Sequence, residues 1–211
     1  RRKSLAFLDV GQGDCFVADT KSGAIIFDGG SSSEDQVGRY RILPYMKYLG
    51  YQKIQIAVIS HMDIDHYSGI KELLEMGKIK YLGLPEIPKD ETMKKIIGIA
   101  KKRGTTIFYL SRGRQITTKD GSLKVLHPQK NSQMEKNAAS LVMQGKILGY
   151  RVLLTGDVEK EGEEELLSEE LERADILKAA HHGSKNSTSN EFLQKVQPKQ
   201  TVISCGKQNR Y

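Results

Sequence analysis

Ser60-His61-Met62-Asp63-Ile64-Asp65-His66 places two imidazoles and two carboxylates side by side in the chain. The run before it, Ile54 to Ser60, is apolar apart from Gln55 and the closing Ser60, the pattern of a strand buried on both faces. Alternate residues leaving a strand end can point to the same side, so His61, Asp63 and Asp65 can converge on one pocket while His66 closes from the next turn. Imidazole and carboxylate are ligands of divalent cations, and a cation held this way turns bound water into a nucleophile at neutral pH. The competing structural reading is a polar turn in which Asp63 caps a helix from Tyr67 to Met76. It accounts for one aspartate and leaves both histidines unexplained.

A metal site needs more than one segment to close, and two further segments offer ligands at strand ends. Leu153-Leu154-Thr155-Gly156-Asp157 is an apolar run that stops at a carboxylate, and Asp157 suits a metal ligand or a helix cap equally. Ile176-Leu177-Lys178-Ala179-Ala180 runs into His181-His182-Gly183-Ser184, a doubled histidine that is rarely structural. Lys178, Ser184 and Asn186 lie beside that pair in sequence and could contact a phosphate, although Lys178 fits a solvated strand end as well.

These residues must be positioned by a regular scaffold. Leu5 to Val10 and Cys15 to Asp19 are expected as strands joined by a tight turn at Gly11-Gln12-Gly13-Asp14, and Ala24 to Phe27 as a third strand ending in Asp28-Gly29-Gly30. Apolar residues at helical spacing predict a helix from Val37 to Leu49 despite Pro44, with Gly50 as its stop. A helix from Ile70 to Met76, a strand from Ile79 to Leu84, a helix from Glu91 to Arg103 and a strand from Thr105 to Leu110 follow. The second half opens with short strands at Gln115 to Thr118, Leu123 to Leu126, Ser140 to Gln144 and Arg151 to Leu154. An acidic helix from Glu161 to Glu172, a strand from Ile176 to Ala179, a helix from Asn190 to Val196 and a strand from Thr201 to Cys205 complete it. Each half thus begins with antiparallel strands and continues with strand-helix units, with no Pro/Ser-rich linker between them, which predicts a two-fold pseudo-repeat inside one domain.

The 38% hydrophobic content of the 211 residues suffices for a substantial core. No apolar run approaches the roughly 20 residues of a transmembrane helix. The chain starts at Arg1 without an initiator Met and stops at Tyr211 just after an expected strand, so it is expected to be part of something longer. Lys and Arg outnumber Asp and Glu by 33 to 26, a formal charge of +7 that favours polyanionic partners, but the cations are scattered and fit an ordinary solvated surface equally. Cys15 and Cys205 form neither a C-x-x-C pair nor a zinc cluster, and each is expected to be a small buried residue beside a strand.

Taken in order, six motifs resemble the metallo-β-lactamase superfamily, and within it the C-terminal hydrolase domain of the ComEC family of bacterial DNA-uptake channels. They are Leu8-Asp9-Val10-Gly11-Gln12-Gly13-Asp14, Phe27-Asp28-Gly29-Gly30, the His61 to His66 cluster with Gly69, Leu154-Thr155-Gly156-Asp157, His181-His182-Gly183-Ser184, and Ile203-Ser204-Cys205-Gly206 running on to Asn209-Arg210-Tyr211. The resemblance spans nearly the whole chain. It implies an αββα sandwich, two packed mixed sheets with helices on both outer faces and a metal site at one sheet edge. It further implies that His61 and Asp63 hold one metal, Asp65 and His66 a second, that Asp157 bridges both, and that a histidine of the His181-His182 pair completes the shell. Asp28 would orient ligands through hydrogen bonds.

The chain departs from the superfamily pattern twice. Asp63 stands where a second histidine is usual, and the histidine expected between Gly69 and Asp157 has no counterpart; His127 lies too far before the Leu153 strand and is expected to be structural or at the surface. Asn137 and Ser140 match the family's Asn-x-x-Ser pattern and are expected to occupy that space. Carboxylate in place of imidazole hardens the site, so one or two divalent ions are expected, Mn2+ in preference to Zn2+. Asp65 is expected to orient the attacking water. The resemblance implies phosphodiester hydrolysis on DNA, single strands in particular, by a domain outside the cytoplasmic membrane that serves the membrane channel of the full-length protein and degrades the strand not imported, with no small-molecule cofactor. A free-standing hydrolase of a small ester or lactone, and a catalytically silent DNA-binding domain, are the alternatives.

Overall fold

The computed structural model describes residues 3–169, 171–207 and 209. Two six-stranded sheets pack face to face. The first runs in the order β1 (Ser4–Phe7), β2 (Phe16–Thr20), β3 (Gly23–Phe27), β4 (Ile54–Val58), β5 (Ile79–Pro85) and β6 (Thr106–Leu110). The second runs in the order β12 (Gln200–Val202), β11 (Ile176–Lys178), β10 (Tyr150–Leu154), β9 (Val142–Ile147), β8 (Gly121–His127) and β7 (Gln115–Thr118). In each sheet the earlier strands of the half pair antiparallel and the later ones parallel, β3 to β6 in the first and β10 to β12 in the second. The predicted pseudo-repeat is therefore the architecture of the fold.

Three apolar layers hold the sandwich. Between the sheets lie Phe16, Phe27, Val58, Val125, Met143 and Leu154, drawn from both. Outside the first sheet, Ile26, Ile59 and Leu82 pack against α1 (Leu43–Tyr48), α2 (Ile64–Glu75) and α3 (Glu91–Lys102) through Met46, Leu73, Leu74 and Ile96. Outside the second, Leu153 and Leu177 pack against α4 (Glu161–Ser168) and α5 (Asn190–Val196) through Leu166 and Phe192. Strands β4 and β10 lie inside their sheets with apolar contacts on both faces, which explains the apolar runs from Ile56 to Ile59 and from Val152 to Leu154.

Local departures from the sequence-based expectations have physical causes. The helix expected from Val37 begins as a π-helical turn, Gly38–Ile42, closed by Leu43 N–H to the Gly38 carbonyl, before α1 takes over. Pro44 has no N–H for the Tyr40 carbonyl, so the regular ladder cannot run through it. The acidic helix stops at Ser168 rather than Glu172. The expected tight turn at Gly11 to Asp14 is part of a longer loop, residues 8–15, that leaves the sheet and is anchored by Asp14 N–H to the Asp65 carbonyl (3.1 Å) and Ser32 N–H to the Gln12 carbonyl (2.8 Å). Cys15 is buried as expected, whereas Cys205 is exposed because its strand ends at Val202. No helix among the described residues is long and apolar enough to cross a membrane.

Gly30 shows how closely this scaffold is fitted to the cluster. A Cβ there would stand 2.6 Å from the Ile64 carbonyl oxygen and 2.7 Å from His66 N, backbone atoms of the first turn of α2. Gly98, exposed on α3, has nothing within 4 Å of the same position. Urea denaturation should find Gly30→Ala destabilised by about 3 kcal/mol, since no flexible side chain can yield. Gly98→Ala should be stabilised by about 0.5–1 kcal/mol.

Candidate metal centre

The cluster forms where the ends of the strands in both sheets face the same edge. Beyond β4 the chain delivers Ser60, His61 and Asp63, and the first turn of α2 carries Asp65 and His66. Asp63 occupies the N-cap position of α2 but makes no capping hydrogen bond with its side chain. Asp28 follows β3 in a left-handed conformation (φ 58°), with its N–H on the Val58 carbonyl at 2.8 Å. The second sheet contributes Asp157 beyond β10, Lys178 at the end of β11, and His182 in the short 3-10 turn His181–Gly183, where both histidines have positive φ (47° and 52°). The loop between β1 and β2 brings Asp14.

Asp157 Oδ2 is the point on which three imidazoles converge. It lies 3.1 Å from His66 Nε2, 3.5 Å from His182 Nε2 and 3.8 Å from His61 Nε2. Asp65 Oδ2 is 3.0 Å from His182 Nε2, and Asp63 Oδ2 is 3.4 Å from His61 Nε2. Donor atoms of Asp65, His66, Asp157 and His182 all lie within 4.8 Å of one another. The other nitrogen of each ring has an identifiable partner. Ser60 Oγ donates to Asp28 Oδ2 (2.7 Å) and so accepts from His61 Nδ1 (3.0 Å), Asp28 Oδ2 accepts from His66 Nδ1 (2.8 Å), and the Ser204 carbonyl accepts from His182 Nδ1 (2.8 Å). In the neutral form these contacts place the proton of each ring on Nδ1, so that Nε2 faces inward and would offer its lone pair to a cation that displaces the second proton. His61 Nε2 and His66 Nε2 are buried and make no hydrogen bond among the described residues. Buried polar atoms without partners are rare, and a divalent cation satisfies such a set. The donors therefore fit a metal. His61, Asp63 and Asp157 would form one ligand group and Asp65, His66, Asp157 and His182 a second.

Carboxylates dominate the electrostatics. Burial opposes charge on His66 and His182, yet Asp157 and Asp28 hold His66 well above the ordinary histidine range, and Asp157 and Asp65 bring His182 up to about 10. Burial likewise opposes charge on Asp157, but His66, His182 and Lys178 hold its carboxyl well below the usual range. Asp14, fully buried, is pushed up by its loss of solvent in spite of Lys178 and the histidines.

Lys178 is not the phosphate contact that its place in the sequence suggested. Its ammonium is buried against Asp14, bonds the Gly156 carbonyl at 2.8 Å and stands 3.5 Å from Asp157 Oδ1. It thereby takes up the carboxylate oxygen of Asp157 that faces away from the imidazoles. Asp14, absent from the residues singled out by spacing, anchors this lysine and lies 3.7 Å from both His66 Nδ1 and His182 Nδ1. Its place as the carboxylate closing the Leu8 to Asp14 motif was the available signal.

Of the doubled histidine, His182 enters the cluster, whereas His181 sets Nδ1 3.0 Å from Glu159 Oε2. Ser140 is buried beside the centre and its Oγ accepts from Asp157 N–H at 3.3 Å. The side chain of Asn137 is half-buried in a separate groove with Lys136 and Glu159, and its carbonyl holds Ser140 N–H. Ser184 Oγ accepts from Asn186 N–H and so belongs to the turn after His182. His127 is buried, with Nε2 on the Ala138 carbonyl (2.6 Å) and Nδ1 3.2 Å from Glu165.

Two mixed sheets flanked by helices, with a histidine and aspartate centre at one edge, define a metallo-hydrolase scaffold, and the family model of the metallo-beta-lactamase superfamily matches residues 8–207. The chain belongs to that superfamily. It is 37% identical to "ComE operon protein 3" of Bacillus subtilis (strain 168), over 97% of this chain and 28% of that protein. It is 29% identical to "Competence protein ComA" of Neisseria gonorrhoeae, over 96% of this chain and 27% of that protein. The chain thus spans little more than a quarter of the length of these relatives. Among solved structures it is similar to the metallo-beta-lactamase fold protein YhfI from Bacillus subtilis, with a TM-score of 0.63 at 14% identity over 98% of this chain and 88% of that one.

The Asp14–Lys178 pair carries a thermodynamic expectation. In the metal-stripped protein, Lys178→Met should cost about 3–5 kcal/mol by leaving Asp14 buried without its cation. Adding Asp14→Asn should recover most of that loss, and a double-mutant cycle by urea denaturation measures the coupling.

Proposed function

We propose that this chain is a metal-dependent phosphodiesterase acting on DNA, serving as the nuclease part of a longer membrane protein of DNA uptake and degrading the strand that is not taken in. The observation that carries the reading is the convergence of three imidazole Nε2 atoms on Asp157 Oδ2, with Asp63 and Asp65 beside them. One of the named relatives, "Competence protein ComA" of Neisseria gonorrhoeae, bears competence in its name, which supports the DNA-uptake setting. The remaining three quarters of such a protein would supply the channel, and this domain would lie on the extracytoplasmic side.

A divalent cation at the centre would lower the pKa of water and draw charge from a phosphoryl oxygen. With three carboxylates among six candidate ligands, the donor set favours Mn2+, with Zn2+ as the alternative. The roles of the side chains follow from their partners. Asp65 is the member of the second ligand group least enclosed by protein, and its carboxylate, held below the ordinary range by His182 against the effect of burial, stays ionised and can accept a hydrogen bond that orients an attacking water. Asp28 and Ser60 keep the His61 and His66 rings in one tautomer. Lys178 holds Asp157 so that a single oxygen faces the reacting atoms.

The test is cleavage of single- and double-stranded DNA by the metal-stripped protein with Mn2+, Mg2+ or Zn2+ restored, beside Asp65→Ala and His66→Ala. Activity should return best with Mn2+ and fall by about 10²–10⁴ in Asp65→Ala. Folded protein that cleaves no DNA with any of the three ions would sink the proposal, and hydrolysis of a small ester or lactone in its place would move the assignment to that class.

A further inference from the structure

The centre is open along the edge that carries Asp63 and Asp65. Among its carboxylates, Asp157 and Asp14 have side-chain exposures of 3% and 6%, whereas Asp63 and Asp65 reach 36% and 18%. A substrate therefore meets the centre across the line from Asp63 to Asp65. Lys178 cannot greet it, being buried and bound on the far side of Asp157.

Other cations flank that line. At the Asp63 end, Lys136 Nζ lies 3.6 Å from Asp63 Oδ1, with 61% of its side chain exposed. At the Asp65 end the edge opens into a cleft of about 870 Å³ whose lining includes Ser32, Ser33, Glu34, Arg41 and Lys207. Besides Asp65 itself, two acids oppose an anion there. Asp9 Oδ1 is already engaged by Gly11 N–H at 3.1 Å, and Glu34 pairs with Arg41 at 3.5 Å while both side chains are nearly half exposed. Such an exposed pair is weak and yields to a better acceptor, and a phosphate offers Arg41 bidentate bonding.

We propose that an extended single-stranded phosphodiester chain crosses the centre here, with Lys136 contacting a phosphate on the Asp63 side and Arg41 and Lys207 contacting phosphates on the Asp65 side. This rests on the phosphodiesterase reading above and adds the path of the strand and the cations that grip it. A single strand suits the geometry because its reacting phosphate must descend to the level of the buried Asp157. Duplex DNA is stiff over about 50 nm and does not bend into a recess of this size. The arrangement also gives Glu34 a role as the competitor that the strand displaces from Arg41.

The experiment measures binding of a fluorescein-labelled single-stranded phosphorothioate oligonucleotide to the Mn2+-loaded protein by anisotropy over a range of salt concentrations. Lys136→Gln, Arg41→Gln and Lys207→Gln should each weaken binding several-fold. Each should also reduce the slope of log K against log[salt] by about 0.7, the value for one phosphate contact on a single strand. Glu34→Gln should bind more tightly, a gain that misfolding cannot produce, and Lys101→Gln at the end of α3 should behave as the parent. Metal content, measured in parallel, should be unchanged throughout. Affinity and slope indistinguishable from the parent in the three cation variants would overturn the path while leaving the nuclease reading intact. So would a Lys136→Gln protein that changes its metal content but not its DNA affinity. Failure of the parent itself to bind the oligonucleotide would instead count against the phosphodiesterase reading, and the path would fall with it.

Discussion

Everything at the sheet edge depends on keeping several carboxylates in one nearly dry place. Asp14, Asp28 and Asp157 are buried around the same imidazoles, and burial pushes the carboxyls of Asp14 and Asp157 toward their neutral forms. Three positive groups oppose this in the protein's own structure: the Lys178 ammonium, locked between Asp14 and Asp157, and the His66 and His182 rings, held toward their charged forms by the acids around them; they prevail at Asp157 and not at Asp14. A divalent cation would take over part of that task. The centre is thus built as a sink for positive charge.

This electrostatic demand explains features of the fold that are otherwise arbitrary. Asp28 adopts a left-handed backbone so that one carboxylate can accept from Ser60 N–H (2.7 Å), Ser60 Oγ and His66 Nδ1 together. The residues 8–15 loop abandons β pairing so that Asp14 can reach Lys178. Gly29 and Gly30 let that loop and the start of α2 close on each other, with Gly29 N–H on the His66 carbonyl and Gly30 N–H on the Asp14 carbonyl. The Asp28 conformation is unfavourable locally and is held by the network it serves.

The strands and the ligands at their ends were legible because their signals are local: an apolar run of strand length, then His or Asp. Asn190–Val196 and Gln115–Thr118 were legible to the residue. Less legible was whatever depends on the other half of the chain. Lys178 sits at a strand end, where lysine is usually solvated, and only the packing of residues 8–15 over it makes it a buried cation. Asp14 was read as part of a turn because a Gly-x-Gly-Asp segment between two strands is ordinary turn chemistry. The choice between His181 and His182 is made by two consecutive positive-φ residues, which no spacing rule anticipates. Cys205 looked like a core residue because the strand before it was expected to run on past Val202.

The two halves of the chain form separate sheets, and neither carries a whole centre. Asp14, Asp28, His61, Asp63, Asp65 and His66 belong to the first, and Asp157, Lys178 and His182 to the second. Their junction is fastened at this edge by Ser204 Oγ on the Gly13 carbonyl (2.6 Å), Gly206 N–H on Gln12 Oε1 (2.8 Å), and Asn209 joining Gln12 to the His182 carbonyl. Any cation that binds Asp157 or His182 together with His66 is therefore also a clasp between sheets. By mass action the binding energy of such a cation would tighten the sandwich as a whole, which would make metal supply and mechanical integrity of the domain one variable.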